Sequence, residues 1–400
     1  MQMIQGGVTA AQGFQAGGTA AGIKKTGKPD LALVFSELPA VAAGVFTTNK
    51  VQAAPVVLSK QQLVSGFAQA IVINSGNANA CVGEVGMQAA QEMVNATAKC
   101  LKIDPQRVLV ASTGVIGVPL PVEKISEVLQ QPANWVNRTG HQAAAEAIMT
   151  TDTFIKEIAV ELKVAGVKVR IGGMAKGSGM VHPNMATMLG VITTDVQIEA
   201  ILLQQAVARA NQISFNRITV DGDTSTNDCL FVLANGLADN PKFAVTDEAY
   251  EEFLQGLVFV AQELAKLIVR DGEGATKFIE IQVLGANSEL AATQMAKSVA
   301  TSSLVKTALF GEDANWGRIL AAVGYAGAEF DPMATNIYLG NLLVCQGGVG
   351  LPFDEEIGKE ILSRKEILIR IEVGHGQGSA VVWTCDLSYD YVKINGSYRS

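Results

Sequence analysis

Histidine is scarce in this chain, with only His141, His182 and His375 in 400 residues. None has a second histidine or a cysteine at metal-ligand spacing. The five cysteines (Cys81, Cys100, Cys229, Cys345 and Cys385) are odd in number and widely spaced, and no CxxC pair occurs. That pattern argues against a zinc centre or a disulfide framework and for thiols in a reducing compartment. Positive charge is also short: 30 basic residues against 38 acidic ones give a net charge of −8. The densest basic stretch is Lys24–Lys25 with Lys28, no stripe that would neutralise a phosphate backbone, so nucleic acid is not an expected partner. Charged residues make up only 17 %, which excludes the composition of a disordered chain. No apolar run approaches the roughly 18 residues that span a bilayer. The opening MQMIQGGVTAAQGF has neither a basic start nor a continuous apolar stretch, so a soluble, cytoplasmic protein without a membrane partner is expected.

What is abundant is apolar residues and glycine. The hydrophobic fraction is 48 % and the mean hydropathy +0.26, enough for a substantial core and, at this length, for two domains or lobes. Forty glycines predict many tight turns and close backbone approaches. Strand-like and helix-like periods alternate, which indicates a mixed α/β protein. Residues 84–101 carry a helical apolar stripe. RVLVAST at 107–113 reads as a buried strand running into a glycine turn at Gly114–Gly117. FIKEIAVELKV and VKVRIGG read as paired strands, and 196–210 and 246–268 as helices, the second capped by Thr246. The C-terminal portion returns to strands at 366–373 and 380–395. No Pro- or Ser-rich linker and no internal repeat divides the chain.

Three motifs invite chemistry. G-I-K-K-T-G-K-P at 22–29 nearly spells a phosphate-binding loop, but Pro29 stands where a hydroxyl residue should hold magnesium, so a basic surface turn fits better. ITVDGDTSTND at 218–228 places Asp221-x-Asp223-x-Ser225 after an apolar strand, a pattern similar to magnesium-dependent aspartyl phosphatases. A turn whose Asp, Thr and Asn side chains satisfy local backbone donors fits better, since such phosphatases carry this loop near the chain start and 220 residues precede it here. The densest motif is KGSGMVHPNMATMLG at 176–190, a small-residue loop before a strand. There the hydroxyl of Thr187 could attack its own preceding carbonyl and cut the chain. The α-amine thus exposed, with an ordinary pKa of about 7.7–8.0, could serve as base to the same hydroxyl. Spacing alone also fits a strand entry with a structural threonine, and both readings stay open on that ground.

Over essentially its whole length the sequence resembles the ornithine acetyltransferase (glutamate N-acetyltransferase) family. The resemblance rests on GVTAAQGFQAGGTAAGIK, PAVAAGVFTTNKVQAAPV, NSGNANACVG, STGVIGVPLP, MTTDT, KGSGMVHPNMATMLG, DGDTSTND, RDGEGATK, FGEDANWGRILAAVGYAG and the terminal NGSYRS. It implies self-cleavage between Ala186 and Thr187 into an α chain (1–186) and a β chain (187–400), associated as a heterotetramer of two copies of each. The implied reaction is ping-pong transfer of acetyl from N2-acetylornithine, through an acetyl ester on Thr187, to glutamate. Ornithine and N-acetylglutamate are then the products. The Thr113 hydroxyl and the Gly114 backbone N–H would form the oxyanion hole. Substrate contacts would come from Thr153 (or Thr151), Lys176, Thr187, Glu273, Asn395 and Ser400. The implied fold is an αββα sandwich similar to N-terminal-nucleophile hydrolases. No cofactor or metal is expected, and acetyl-CoA stays open as a second donor. Two other functions remain to be weighed: a self-processed aminopeptidase or amidase, and a magnesium-dependent phosphatase built on Asp221.

Overall fold

The computed structural model describes residues 1–182 and 188–397. The cleavage pair Ala186–Thr187 and the terminal Ser400 therefore lie outside the described residues. In chain order the strands are β1 (Gln2–Ile4), β2 (Phe14–Thr19), β3 (Leu31–Phe46), β4 (Phe67–Asn77), β5 (Val108–Val115), β6 (Lys156–Val164), β7 (Val167–Lys176), β8 (Leu189–Thr194) and β9 (Cys229–Ala234). They continue with β10 (Phe278–Ala286), β11 (Asn336–Leu339), β12 (Leu342–Gln346), β13 (Val349–Gly350), β14 (Glu366–Glu372) and β15 (Gly378–Cys385). The helices are α1 (Ala54–Gln62), α2 (Glu84–Leu101), α3 (Val122–Val128), α4 (His141–Ala147), α5 (Ala200–Gln212), α6 (Glu248–Arg270), α7 (Glu289–Thr301), α8 (Ser303–Phe310), α9 (Trp316–Gly324), α10 (Glu355–Leu362) and α11 (Tyr389–Ser397).

A single long strand makes the layering. The 16 residues of β3 pair with β2 and β4 through the first half and with β9 through Val41–Phe46. The register with β4 breaks between Phe35 and Ala40, and there the nine-stranded sheet folds over on itself. Side chains alternate across a strand. On β3, β4 and β5, Leu31, Leu33, Val72, Val108 and Val110 therefore face outward onto α2 and α3. Ala32, Val34, Ile71, Ile73 and Leu109 face inward and meet Met174, Leu189, Val191, Phe231 and Leu233 of β7, β8 and β9. The far face of those strands carries α5 and α6 through Val160, Ile171, Ile192 and Val232. The result is helix, sheet, sheet, helix. Both faces of every central strand are buried, which is why their sequences read as apolar runs. A six-stranded sheet in the order β13-β12-β11-β14-β10-β15 follows, and α7 and α9 cover it over a core of its own.

Local chemistry sets the element ends. In α6, Phe253, Leu257, Val260, Leu264 and Ile268 form the buried stripe, spaced three and four apart. The Asp247 side chain caps it by accepting from Tyr250 N, so the expected cap at Thr246 moves by one residue. Two other expectations change. Residues 218–220 are not a strand; only Ile218 bridges to Trp383. The run 380–395 is not strand throughout. β15 stops at Cys385 because the next residue, Asp386, turns its carboxylate back to accept from Thr276 N at 2.8 Å and Lys277 N at 2.9 Å. The chain then winds into α11. No helix among the described residues is long and apolar enough to cross a membrane.

Candidate active site

The folded sheet brings several strand ends to one place. β5 carries Thr113 and Gly114 just before its last residue Val115, β7 ends in Lys176, and β8 begins at Leu189, opposite Lys176 in the antiparallel register. β9 starts alongside, with Leu189 facing Cys229 and Met188 O accepting from Cys229 N at 3.2 Å. A cavity of about 90 Å³ opens between them, walled by Thr113, Gly114, Thr151, Lys176, Ser225, Asn227, Glu273 and Asn395. Five of the residues that the sequence nominated thus share one wall system: Thr113, Gly114, Lys176, Glu273 and Asn395. Thr187, two residues before Leu189 in sequence, lies outside the described residues.

Gly114 is glycine for a physical reason. Its φ is +130°, and a Cβ there would sit 2.4 Å from the carbonyl carbon of Gly76 on the neighbouring strand. The β4–β5 register slips at the same point, Asn77 facing both Thr113 and Val115. Such a bulge re-aims the peptide at the edge of a site. Beside it the Thr113 hydroxyl oxygen accepts from Lys176 Nζ at 3.4 Å. An ammonium only donates, so the threonine's own hydrogen remains for another oxygen.

Charge in the cleft is arranged in depth. Lys176 is buried, as is Lys156 behind it, whose Nζ bonds Asp152 at 2.7 Å and Asp271 at 2.5 Å. Burial alone would raise the Asp152 carboxyl, but Lys176 and Lys156 hold it well below the usual carboxylate range. Opposite Lys176 the buried Glu273 accepts from Asn395 Nδ2 at 2.8 Å, which ties α11 over the cleft. Gly179 lets the carboxylate lie flat, since a Cβ there would fall 2.2 Å from Glu273 Oε2.

The structure sorts the remaining candidates. Thr151 lines the cleft and its hydroxyl meets Ser178 Oγ at 2.7 Å, whereas Thr153 is turned away, its backbone N–H and hydroxyl both donating to Asp271. Asp221 serves backbone: it accepts from Met180 N at 2.6 Å and Val181 N at 2.9 Å, with Tyr391 Oη at 3.3 Å. Burial pushes its carboxyl up while those backbone N–H groups pull it down, and with both oxygens engaged it anchors the loop that follows Lys176. Among the described residues no group of three His, Cys, Asp or Glu could hold a metal ion. His182, half-buried against Thr219 Oγ1 at 3.1 Å, is pushed down to about 4 by burial and by the nearby Lys297, so it stays neutral at pH 7. His141 pairs with Glu157 at 2.8 Å, a partner its sequence surroundings do not announce, and His375 lies in the turn before β15.

Sequence reasoning passed over Asn227. Its Nδ2 donates to Ala78 O at 2.6 Å and Ser112 O at 2.8 Å, pinning the 221–228 loop to the ends of β4 and β5. Only its place inside DGDTSTND hinted at a role.

Comparison with known proteins follows the same lines. The ArgJ family pattern matches residues 15–400. An arginine biosynthesis bifunctional protein ArgJ of Symbiobacterium thermophilum is 52 % identical over 402 residues, covering 100 % of both chains. Among solved structures, an arginine biosynthesis bifunctional protein ArgJ from Bacillus halodurans is 42 % identical with a TM-score of 0.50, over 52 % of this chain and 97 % of that one. An ornithine acetyltransferase from Mycobacterium tuberculosis, complexed with ornithine, is 41 % identical with a TM-score of 0.43, over 46 % of this chain and 98 % of that one. A pattern that runs from residue 15 to the end, joined to half-identity along the full length of a relative, admits one conclusion: this chain belongs to the ArgJ family of bifunctional arginine-biosynthesis proteins.

Proposed function

We propose that the chain is a glutamate N-acetyltransferase that moves acetyl from N2-acetylornithine to glutamate through an acetyl ester on Thr187. One observation carries this reading: Thr113, Gly114, Lys176, Glu273 and Asn395, from separate stretches of sequence, wall one cleft at the entry to β8. Self-cleavage at Ala186–Thr187 frees the α-amine of Thr187, which takes the proton of the adjacent hydroxyl. The oxygen attacks the acetyl carbonyl, and the developing oxyanion meets the Thr113 hydroxyl and the Gly114 N–H. The C–N bond breaks, the α-ammonium returns its proton to the leaving nitrogen, and ornithine departs. The amine of glutamate then attacks the ester, the C–O bond breaks, and N-acetylglutamate leaves with the hydroxyl restored.

Lys176 and Glu273 provide one charge of each sign for two substrates whose side chains end in opposite charges. Ser400 and Thr151 complete the substrate contacts in this reading, Thr151 taking the place of Thr153, whose N–H and hydroxyl are held by Asp271. Base and nucleophile come from one residue, so no cofactor is required. The α chain (1–186) and β chain (187–400) stay together as a cytoplasmic heterotetramer. The Bacillus halodurans relative supports the cut: about half of this chain covers almost all of that solved chain.

A denaturing gel with N-terminal sequencing tests the reading. Wild-type protein gives two bands, one beginning T-M-L-G, and converts acetylornithine plus glutamate to ornithine plus N-acetylglutamate. Thr187→Ala gives only the intact 42.0 kDa chain, without activity. Acetate released without glutamate would instead mark an amidase, and an unbroken chain with full transfer activity would overturn the mechanism.

A further inference from the structure

β5 lies at the edge of the nine-stranded sheet and pairs on one side only, with β4. An edge strand presents a row of N–H and C=O groups that no ladder satisfies. The peptide groups of a strand point alternately to its two edges, so on β5 the open row is Val110, Ser112 and Gly114. The fold closes that row one residue at a time. Ser59 of α1 closes Val110, its Oγ accepting from Val110 N at 2.8 Å and donating to Val110 O at 2.7 Å. Asn227 closes the next carbonyl, its Nδ2 donating to Ser112 O at 2.8 Å. Val115 O turns the other way and accepts from Ala78 N at 2.9 Å, which leaves Gly114 on the open edge, where it walls the cleft.

The amide of Asn227 is spent on main chain. Its second Nδ2 hydrogen goes to Ala78 O at 2.6 Å, and its Oδ1 accepts from Thr226 Oγ1 at 2.6 Å, which fixes the donor end of the amide. Although the side chain walls the cleft, it has no hydrogen left for a substrate or an oxyanion. The loop that carries it is itself braced, Thr226 O accepting from Ala53 N and Asp228 O from Thr47 N, both at 3.0 Å. On the other side of β5, Ser112 Oγ donates to Asn74 Oδ1 at 2.5 Å, and Asn74 Nδ2 donates to Asn77 O at 2.9 Å, at the register slip. Asn74, Ser112 and Asn227 are all buried, and a buried polar network that is satisfied in this way is rigid. The Ser112–Thr113 peptide is thus held from both sides, one residue ahead of the Gly114 N–H that is to meet the oxyanion.

We propose that Asn227 is a positioning residue for acetyl transfer: by holding the Ser112 carbonyl it sets the direction of the Gly114 N–H, and it does so without touching substrate. This rests on the acetyl-threonine reading above. In that reading an oxyanion develops twice, once when Thr187 attacks acetylornithine and once when glutamate attacks the ester. Asn227 therefore acts on both half-reactions alike, through the rate and not through substrate affinity.

The test is steady-state kinetics with acetylornithine and glutamate, each rate taken per Thr187 terminus counted by N-terminal sequencing, so that lost self-cleavage is not read as lost transfer. Asn227→Ala, and Asn227→Asp, which keeps the size but cannot donate, lower kcat about ten- to a hundredfold, somewhat less than removal of an oxyanion donor outright. Both KM values stay within about threefold, and kcat/KM falls by the same factor for acetylornithine and for glutamate. Gly114→Ala/Asn227→Ala is within about threefold of Gly114→Ala alone, because the two changes spoil one and the same donor. Ser59→Ala, two residues back along the same edge, lowers Tm by a few degrees and leaves kcat within about twofold. If the Asn227 variants do not fold or do not cleave, Thr226→Val decides, since it removes only the hydroxyl that orients the amide: a severalfold lower kcat at unchanged KM supports the proposal. Undiminished kcat in the variants, a rise in KM for one substrate alone, full additivity with Gly114→Ala, or an equal loss of kcat in Ser59→Ala each overturns it. A wild-type protein that transfers no acetyl sinks the transfer reading and this inference together, whereas an active wild type with undiminished Asn227 variants sinks the inference alone.

Discussion

The proposed oxyanion site depends on one backbone geometry that a single methyl group would disturb. At Gly114 a Cβ meets main-chain atoms of Gly76 and Asn77 at 2.4–2.7 Å, and backbone cannot swing aside as a side-chain tip can. Gly114→Ala is therefore expected to displace the Thr113–Gly114 peptide and lower kcat by about 10²–10³, the usual loss for one oxyanion donor. Steady-state kinetics beside a melting curve checks this; unchanged kcat with a folded protein would remove Gly114 from the chemistry. Gly179→Ala offers a contrast, because its Cβ meets the end of the Glu273 side chain, which can rotate. There the expected effect is on substrate KM, with kcat less affected. Thr113 and Gly114 were nominated in the sequence through family resemblance, their spacing alone saying only that a strand ends in a turn, and Gly179 was not singled out at all. Asn227 was not legible even so, because its partners Ala78 and Ser112 are distant in sequence and meet it only in the fold.

Elements meet at the site through buried charge. Asp152, in the turn after α4, and Asp271, just past α6, share the ammonium of Lys156 at the start of β6. The Asp152 pKa is depressed in the folded protein, so its contribution to stability is complete above the unfolded value of about 3.9 and is lost as pH falls below that. Thermal melts should show Tm falling steeply below about pH 4 in wild type. Asp152→Asn leaves Lys156 with one carboxylate, costs about 3–5 kcal/mol at neutral pH and flattens that acid limb. A wild-type acid limb in the variant would assign the pH dependence elsewhere. The strands and helices of this region were readable from period alone: α2, β5, β6 and β7 fall where the apolar pattern puts them. α11 was not, because Tyr389 and Tyr391, then Val392 and Ile394, are spaced two apart as in a strand. What makes it a helix is tertiary: Tyr391 reaches Asp221, Asn395 reaches Glu273, and no α11 residue is buried. Removing residues 389–400 is accordingly expected to leave Tm within a few degrees while raising substrate KM severalfold. A large fall in Tm would make α11 a structural element instead of a cover for the cleft.

At the scale of the whole molecule, the proposed cut falls between two strands that pair with each other. Lys176 to Ile171 of β7 run opposite Leu189 to Thr194 of β8, and β9, from the later part of the chain, pairs with β3 from the earlier part. The inner core likewise mixes Ile71, Ile73 and Leu109 with Val191, Phe231 and Leu233. No Pro- or Ser-rich linker in the sequence marks the site, and the six-stranded sheet after Lys277 is equally unannounced, since its strands follow α6 after only a short turn. Pulling the two chains apart would expose both faces of that inner layer, at about 25 cal/mol for each Å² of apolar surface, and would break two strand pairings. Backbone scission therefore leaves the assembly intact: both chains should co-elute on size exclusion in native buffer, at any dilution that keeps the protein folded. They should separate only through the unfolding transition in denaturant, so that loss of co-elution and loss of far-UV signal coincide. Separation at a denaturant concentration well below unfolding would show instead that the two chains are independent folding units joined by a weak surface.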